Sequence, residues 1–175
     1  MTVSIHELLG HLRSTALDER DKGDKFERLI KAFLKSDREW SSKFSDMWLW
    51  SEWDGRGNVP DVGVDLIAKH SDLDGFAAIQ AKFYDAGNKV SKAHIDSFLA
   101  VAMRPDFQFT SRFVFDTSAG WTNNVEKEAQ GVVQRVDISL LDGAAAIDWS
   151  QNHWEALRSS SPPGRRTCAL IRRQP

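Results

Sequence analysis

Residues 61–84, DVGVDLIAKHSDLDGFAAIQAKFY, restrict the fold more than any other stretch of the chain. Two short apolar-rich runs, Val64 to Lys69 and Phe76 to Phe83, flank Asp72-Leu73-Asp74-Gly75. Asp at the first turn position and Gly at the fourth suit a type I turn, so the stretch predicts a β-hairpin. Side chains in a strand alternate between faces. Ala77, Ile79, Ala81 and Phe83 therefore point one way, and Phe76, Ala78, Gln80 and Lys82 the other. A turn centred between Leu73 and Asp74 sets Asp65 opposite Lys82 and Ile67 opposite Gln80. A carboxylate, an amide and an ammonium then meet on one patch of sheet.

That patch has two readings. One is a cross-strand Asp–Lys pair on a solvated face, which contributes roughly 0.2–1 kcal/mol. The other is a metal-dependent phosphodiesterase centre. There Asp65 binds a divalent cation, with the Ala81 backbone carbonyl and the Gln80 side-chain oxygen as supporting ligands. Magnesium accepts such oxygen ligands and keeps several waters. A water acidified by the metal attacks phosphorus, and Lys82 orients it or stabilises charge on the phosphate.

Asp65 followed by Gln80-Ala81-Lys82 after a hairpin resembles the Asp…Gln-x-Lys variant of the PD-(D/E)XK nuclease superfamily, in its Mrr-like branch. Gly23-Asp24-Lys25-Phe26-Glu27 is similar to that branch's first helix, which carries a Glu near its start. Four further blocks resemble the N-terminal nuclease domain of type ISP restriction–modification enzymes and related helicase–nuclease subunits. They are Trp48-Leu49-Trp50-Ser51-Glu52-Trp53, Asp61-x-Gly63-Val64-Asp65-Leu66, Ala78-Ile79-Gln80-Ala81-Lys82-Phe83-Tyr84 and Ser91-Lys92-x-x-Ile95-Asp96-Ser97-Phe98. The resemblance implies a Mg2+-dependent endonuclease, with Mn2+ able to substitute, acting on double-stranded DNA. It also implies downstream helicase-like, methyltransferase and target-recognition domains in a longer protein; a cytoplasmic location is the expectation that the single Cys168 suits. Gln80 stands where many members have Asp or Glu. A neutral amide is a poorer ligand, which puts a second tightly held metal in question.

Composition bounds these readings. The chain has 175 residues, 41% hydrophobic and 27% charged, which suits one globular domain with a real core. No apolar run approaches the ~20 residues of a membrane helix, and the first residues lack the form of a signal peptide. The single Cys168 excludes an internal disulfide. Net charge is −2. Setting aside Arg165, Arg166, Arg172 and Arg173 in the last fifteen residues leaves 19 basic against 25 acidic groups. Such a body does not grip DNA by charge alone. It suits a nuclease module delivered to DNA by an attached partner.

Residues 4–20 open with Ser4 three before Glu7, a capping-box spacing, and Ile5, Leu8, Leu9 and Leu12 recur at helical intervals. His6-Glu7 with His11 is not the zinc-protease HExxH pattern, because the second His falls five residues after the first. Gly23 reads as a break. Asp24 and Glu27 form a second candidate capping box before the stripe Phe26, Leu29, Ile30, Phe33 and Leu34. Glu27 is then either a helix-terminal acid that favours the dipole or, by the resemblance, an outer carboxylate that binds the metal through water. Residues 37–46 read as loop and Met47 to Trp53 as a strand in which Trp48 and Trp50 share a face. Arg56, in a turn before Pro60, is either solvated or a phosphate contact. Asp61, four residues before Asp65, is a loop cap or a second acid near the metal.

After the hairpin, Ser91 is a candidate N-cap for a helix with Ile95, Phe98, Leu99 and Ala102 inward. Lys89 and Lys92 near its start are surface lysines or phosphate contacts. Arg112 to Thr117 reads as a buried strand, Trp121 to Gln130 as a helix, and Val132 to Leu140 as a last strand. Short helical turns follow over 142–158. Residues 1–158 read as the nuclease domain. Ser159 to Gly164 begin a linker, 159–175, toward a missing downstream domain. The predicted architecture is an α/β, restriction-endonuclease-like sandwich: a central mixed β-sheet flanked by helices, with an αβββαβ core. The function read from it is a metal-dependent DNA endonuclease that cuts one strand per active site. Two alternatives stay open: a non-cleaving DNA-end or junction-binding module on the same scaffold, and a protein-interaction domain.

Overall fold

The computed structural model describes residues 4–60, 63–85, 87–137 and 141. Helix α1 spans Ile5–Thr15. Ser4 and Glu7 form the expected capping box, with Glu7 N–H donating to Ser4 Oγ and Ser4 N–H to the Glu7 carboxylate. Ile5, Leu8, Leu9 and Leu12 are buried, and each such side chain contributes about 1.5–3 kcal/mol when fully withdrawn from water.

Helix α2 (Glu19–Ser36) corrects the sequence reading. It passes straight through Gly23, and its N-cap is Asp18, whose carboxylate accepts from Asp21 N–H. Asp24 and Glu27 are interior helical residues and not a capping box. One glycine costs a helix about 1 kcal/mol relative to alanine, while the α2 stripe buries Phe26, Leu29, Ile30, Phe33 and Leu34. Burial outweighs propensity. Residues 37–46 also differ from the expected loop. Asp37 caps a short helix α3 (Arg38–Lys43), and strand β1 (Phe44–Leu49) follows. The strand ends four residues before Trp53, because Leu49 N–H donates to the Glu52 carboxylate and Trp50–Glu52 turn into a 3-10 helix.

Strands β2 (Leu66–His70) and β3 (Phe76–Lys82) make the predicted hairpin. Its register differs from expectation: Leu66 pairs with Ile79 and Ile67 with Ala78. The slip is two residues. Because strand side chains alternate, an even slip keeps every residue on its predicted face. Gly75 stands at the turn where the shifted register begins. It has φ +101, and a Cβ there would lie 2.7 Å from the Gln108 carbonyl oxygen. Phe76 N–H donates to that same carbonyl, so the turn is fitted to a distant segment and not to its own sequence.

Helix α4 (Lys92–Ala102) crosses to strand β4 (Phe109–Asp116), and helix α5 (Asn123–Ala129) crosses to strand β5 (Gln134–Asp137). β4 begins three residues earlier than predicted and β5 two residues later, and the predicted end of β5 lies outside the described residues. The sheet order is β1-β2-β3-β4-β5, with β1–β3 antiparallel and β3–β5 parallel. Two cores cover its faces. α1, α2 and Trp40 of α3 pack on Leu66, Ala68, Ala77, Ile79, Phe113 and Phe115. α4 and α5 pack on Ile67, Ala78 and Val114. Trp48, Trp50 and Trp53 join the second core, so these aromatics are packing residues. This is the expected α/β sandwich with a mixed sheet. No described helix is long and apolar enough to cross a membrane. The predicted turns over 142–158 and the linker 159–175 lie outside the described residues.

Candidate metal centre

The site forms where the β2–β3 ladder gives way to side chains. Beyond the Leu66–Ile79 pair, Asp65 N–H donates to the Ile79 carbonyl at 2.9 Å. Ala81 N–H then donates to Asp65 Oδ2 at 2.7 Å. Asp65 is thus tied to both neighbours of Gln80, where the sequence reading had set it opposite Lys82. The two-residue slip accounts for the change. Asp65 O accepts from Trp50 N–H at 2.8 Å, which fixes the same residue to the end of β1. Asp65 is 7% exposed, although it carries a charged group.

Gln80 is 1% exposed. Its Nε2 donates to the Gly63 carbonyl at 2.9 Å. That bond fixes the amide's orientation, since a flipped amide would set two acceptors against each other. Oε1 is buried and has no hydrogen-bond partner among the described residues. Buried polar atoms are nearly always paired, so an orphaned oxygen on the strand facing a buried carboxylate is one whose bonding a cation could complete. The donor set is Asp65 carboxylate, Gln80 amide oxygen and, in reach of the same backbone, the Ala81 carbonyl. All are hard oxygens, suited to magnesium or manganese and not to zinc. Among the described residues no group of three His, Cys, Asp or Glu side chains could hold a metal. An ion here would therefore keep most of its waters.

Gly63 is required by this arrangement. It has φ +102, and a Cβ would lie 3.1 Å from the Ser97 carbonyl oxygen of α4. Its carbonyl is the one that holds Gln80. Gly63→Ala is expected to destabilise the fold by about 1–3 kcal/mol, from the left-handed backbone and the close approach. Urea unfolding of the variant beside wild type would measure it. Equal midpoints would refute the constraint.

The other predicted residues fall as follows. Lys82 is half-buried, next after Gln80 on the same strand face, and its carbonyl accepts from Thr117 N–H at 3.2 Å. Glu27 is half-buried on α2. Its neighbour Phe26 stacks on Phe83 at 5.0 Å between centroids, which brings α2 to the end of β3, on the face opposite Gln80 and Lys82. Asp61 lies outside the described residues. Arg56 ends a 3-10 turn in the β1–β2 loop, and Lys89 is exposed. Lys92 is committed elsewhere: Nζ bridges Asp96 at 2.9 Å and Glu128 at 2.8 Å, joining α4 to α5. Those two carboxylates, Glu128 first, raise its pKa. Ser91 occupies the N-cap position of α4, but its hydroxyl does not cap the helix; it meets His94 Nδ1.

One group was seen in the sequence only as the end of a strand and was given no role there. Asp116 stands in register with Lys82 on the neighbouring strand. Its buried carboxylate takes Arg135 Nε at 2.9 Å, Arg135 Nη2 at 3.0 Å and Trp121 Nε1 at 3.0 Å. Ser118 Oγ closes on it as well. The position at a strand end was visible in the sequence; its partners, up to nineteen residues away, were not.

Comparison with known proteins returns a family and two informative structures. An Mrr catalytic-domain model, described as restriction endonuclease, matches residues 35–158. No curated protein matches the sequence. The ATP-dependent type ISP restriction–modification enzyme LlaBIII, solved bound to DNA, is 27% identical with a TM-score of 0.68, over 87% of this chain and 9% of that one. The MspJI restriction endonuclease, in complex with a 27-mer oligonucleotide, is 16% identical with a TM-score of 0.53, over 90% of this chain and 36% of that one, a likeness of fold alone. This chain thus spans less than a tenth of the LlaBIII chain.

Proposed function

The chain belongs to the Mrr-type restriction endonuclease family, and from that premise we propose that its β2–β3 site is a magnesium-dependent centre that hydrolyses one DNA phosphodiester bond at a time. The observation that carries this reading is the buried, unpartnered Gln80 Oε1 on the strand facing the Asp65 carboxylate. Asp65, Gln80 and the Ala81 carbonyl would hold the ion, with manganese able to replace magnesium. A divalent cation bound there supplies positive charge to the phosphoryl oxygens and makes water more acidic. Lys82 brings a second positive charge along the same face, orients the attacking water and offsets charge that builds on phosphorus oxygens. Glu27 approaches from α2 as an outer carboxylate that orders water at the site. Because these groups sit on strand ends and a packed helix, they cost little reorganisation when the reaction proceeds.

The substrate is double-stranded DNA. The module works within a longer protein whose helicase-like, methyltransferase and target-recognition domains follow residues 159–175, the linker. Those domains supply ATP use and sequence recognition, which matches the acidic body of this one. One centre cuts one strand, so a double-strand break takes two copies or two successive nicks.

The test is nicking of supercoiled plasmid by the 175-residue chain with magnesium, with manganese, and with excess chelator. Open circles are expected with either ion, and chelation should abolish them. Absence of metal-dependent nicking both by this chain and by the longer protein that carries the motor would overturn the reading in favour of a non-cleaving DNA-end or junction-binding module. The neutral Gln80 is the feature that such a module would share.

A further inference from the structure

The face that carries Gln80 and Lys82 does not end with β3. Thr117 N–H donates to the Lys82 carbonyl, and Tyr84 N–H donates to Thr117 Oγ1 at 2.8 Å. The chain is therefore still held against β4, and Tyr84 follows Gln80 and Lys82 in the two-residue alternation. Its ring packs with the core on the α4 side. The phenol oxygen lies 2.6 Å from His94 Nδ1, and Ser91 Oγ lies 3.2 Å from the same nitrogen. The two rings sit 5.8 Å apart. Burial, then the charge of Asp116, pushes the Tyr84 phenol up to about 12, so the hydroxyl keeps its proton and can donate it to Nδ1. A neutral imidazole that accepts at Nδ1 carries its own proton on Nε2. His94 is exposed, and among the described residues Nε2 has no protein partner.

We propose that His94 is a DNA-contacting residue whose Nε2–H donates to a non-bridging phosphate oxygen of the strand being cut, and that Tyr84 is the positioning residue that fixes the imidazole for this contact. The proposal rests on the endonuclease reading and extends it by one contact. Two strand residues span about 6.6 Å, and His94 lies beyond Tyr84. The phosphate it meets is then a neighbour of the one at Asp65 and Lys82. Such a contact sets the register of the strand and takes no part in bond breaking.

The experiment measures binding of a fluorescently labelled duplex to the 175-residue chain carrying Lys82→Ala, which prevents cutting. Adding His94→Ala is expected to weaken binding by about three- to tenfold, the usual net scale for losing one hydrogen bond in water. Tyr84→Phe should weaken it by about two- to threefold, and the two together no more than His94→Ala alone, since Tyr84 acts through the imidazole. In otherwise wild-type chain, His94→Ala should raise KM for nicking and leave kcat nearly unchanged. Ring nitrogen shifts should show Nε2 protonated and Nδ1 bare. Unchanged affinity in the His94→Ala chain, with metal-dependent nicking intact in wild type, would sink this contact and spare the endonuclease reading. Additive losses, or a proton on Nδ1, would remove Tyr84's role. A wild-type chain that neither binds nor nicks DNA would remove both readings together.

Discussion

Lys82→Ala is expected to lower magnesium-dependent nicking by at least about a hundredfold, the usual scale for losing a positioned charged group in such a reaction. Stability should change little. Lys82 is half-buried at the open end of β3, and its backbone contribution, the carbonyl that accepts from Thr117 N–H, survives the substitution. Asp65→Ala should be equally inactive, for a different reason. It removes the carboxylate and also the acceptor of Ala81 N–H, so it loosens the two strands where the site forms. Asp65→Asn separates these effects: the side-chain oxygen can still take the Ala81 N–H, but the negative charge that binds a cation is gone. Nicking rates for the three variants, measured across a range of magnesium concentrations, check the assignment. Excess metal should recover part of the Asp65→Asn activity and none of the Lys82→Ala activity. Wild-type rates in Lys82→Ala would show that the reacting centre is elsewhere.

The faces of the hairpin were legible because they depend only on parity. Asp65, Gln80 and Lys82 were read as sharing a side, and a slip of two residues left that intact. The pairing itself was not legible. It goes with a contact outside the hairpin: Phe76 N–H bonds to the Gln108 carbonyl, and a Cβ at Gly75 would collide with that same oxygen, more than thirty residues from the turn. Local signals misled where two of them competed. Asp24 and Glu27 imitate a capping box, yet the helix starts at Asp18 and buries its stripe across Gly23. The short helix α3 sends only Trp40 into the core, so its six residues show no periodicity to read. Caps that are local in both sequence and space, such as Ser4 with Glu7, were read correctly.

The sequence also placed the amide on the carboxylate's face of the hairpin without saying why an amide would stand there. The structure supplies a physical account. A glutamate at position 80 would bring a second negative charge to Asp65 and would lose the donor that Gln80 gives to the Gly63 carbonyl. The amide serves two masters: its nitrogen pins the Gly63 loop under α4, and its oxygen stays available. The neutral side chain keeps the loop attached when no cation is bound. A carboxylate pair would instead repel in that state.

Asp116→Ala is expected to be the most destabilising single change among the polar residues, at about 3 kcal/mol. Asp116 is buried at 2% exposure and takes both arms of Arg135, the Trp121 indole N–H and the Ser118 backbone N–H at 3.0 Å. Removing it leaves a buried indole donor unpaired and a partly covered guanidinium without its carboxylate. Breaking one side of such a pair costs about 3–5 kcal/mol when both groups are deeply buried. The Arg135 side chain is 28% exposed and can regain water, which places the expected cost at the low end. For a chain of this size that corresponds to a fall in Tm of about 6–12 °C, measurable by thermal unfolding. Arg135→Ala should cost less, because the carboxylate keeps the indole and Ser118 donors. The double variant should be less damaging than the two losses summed, since both remove the same pair. The consequence reaches the site. Asp116 is the register partner of Lys82, and the loop it organises follows Thr117, whose N–H holds the Lys82 carbonyl. At temperatures where the variant is still folded, nicking should therefore fall with Asp116→Ala although the residue touches neither metal nor DNA. Unchanged Tm together with unchanged nicking would mean that β4 and β5 hold their ends without this network.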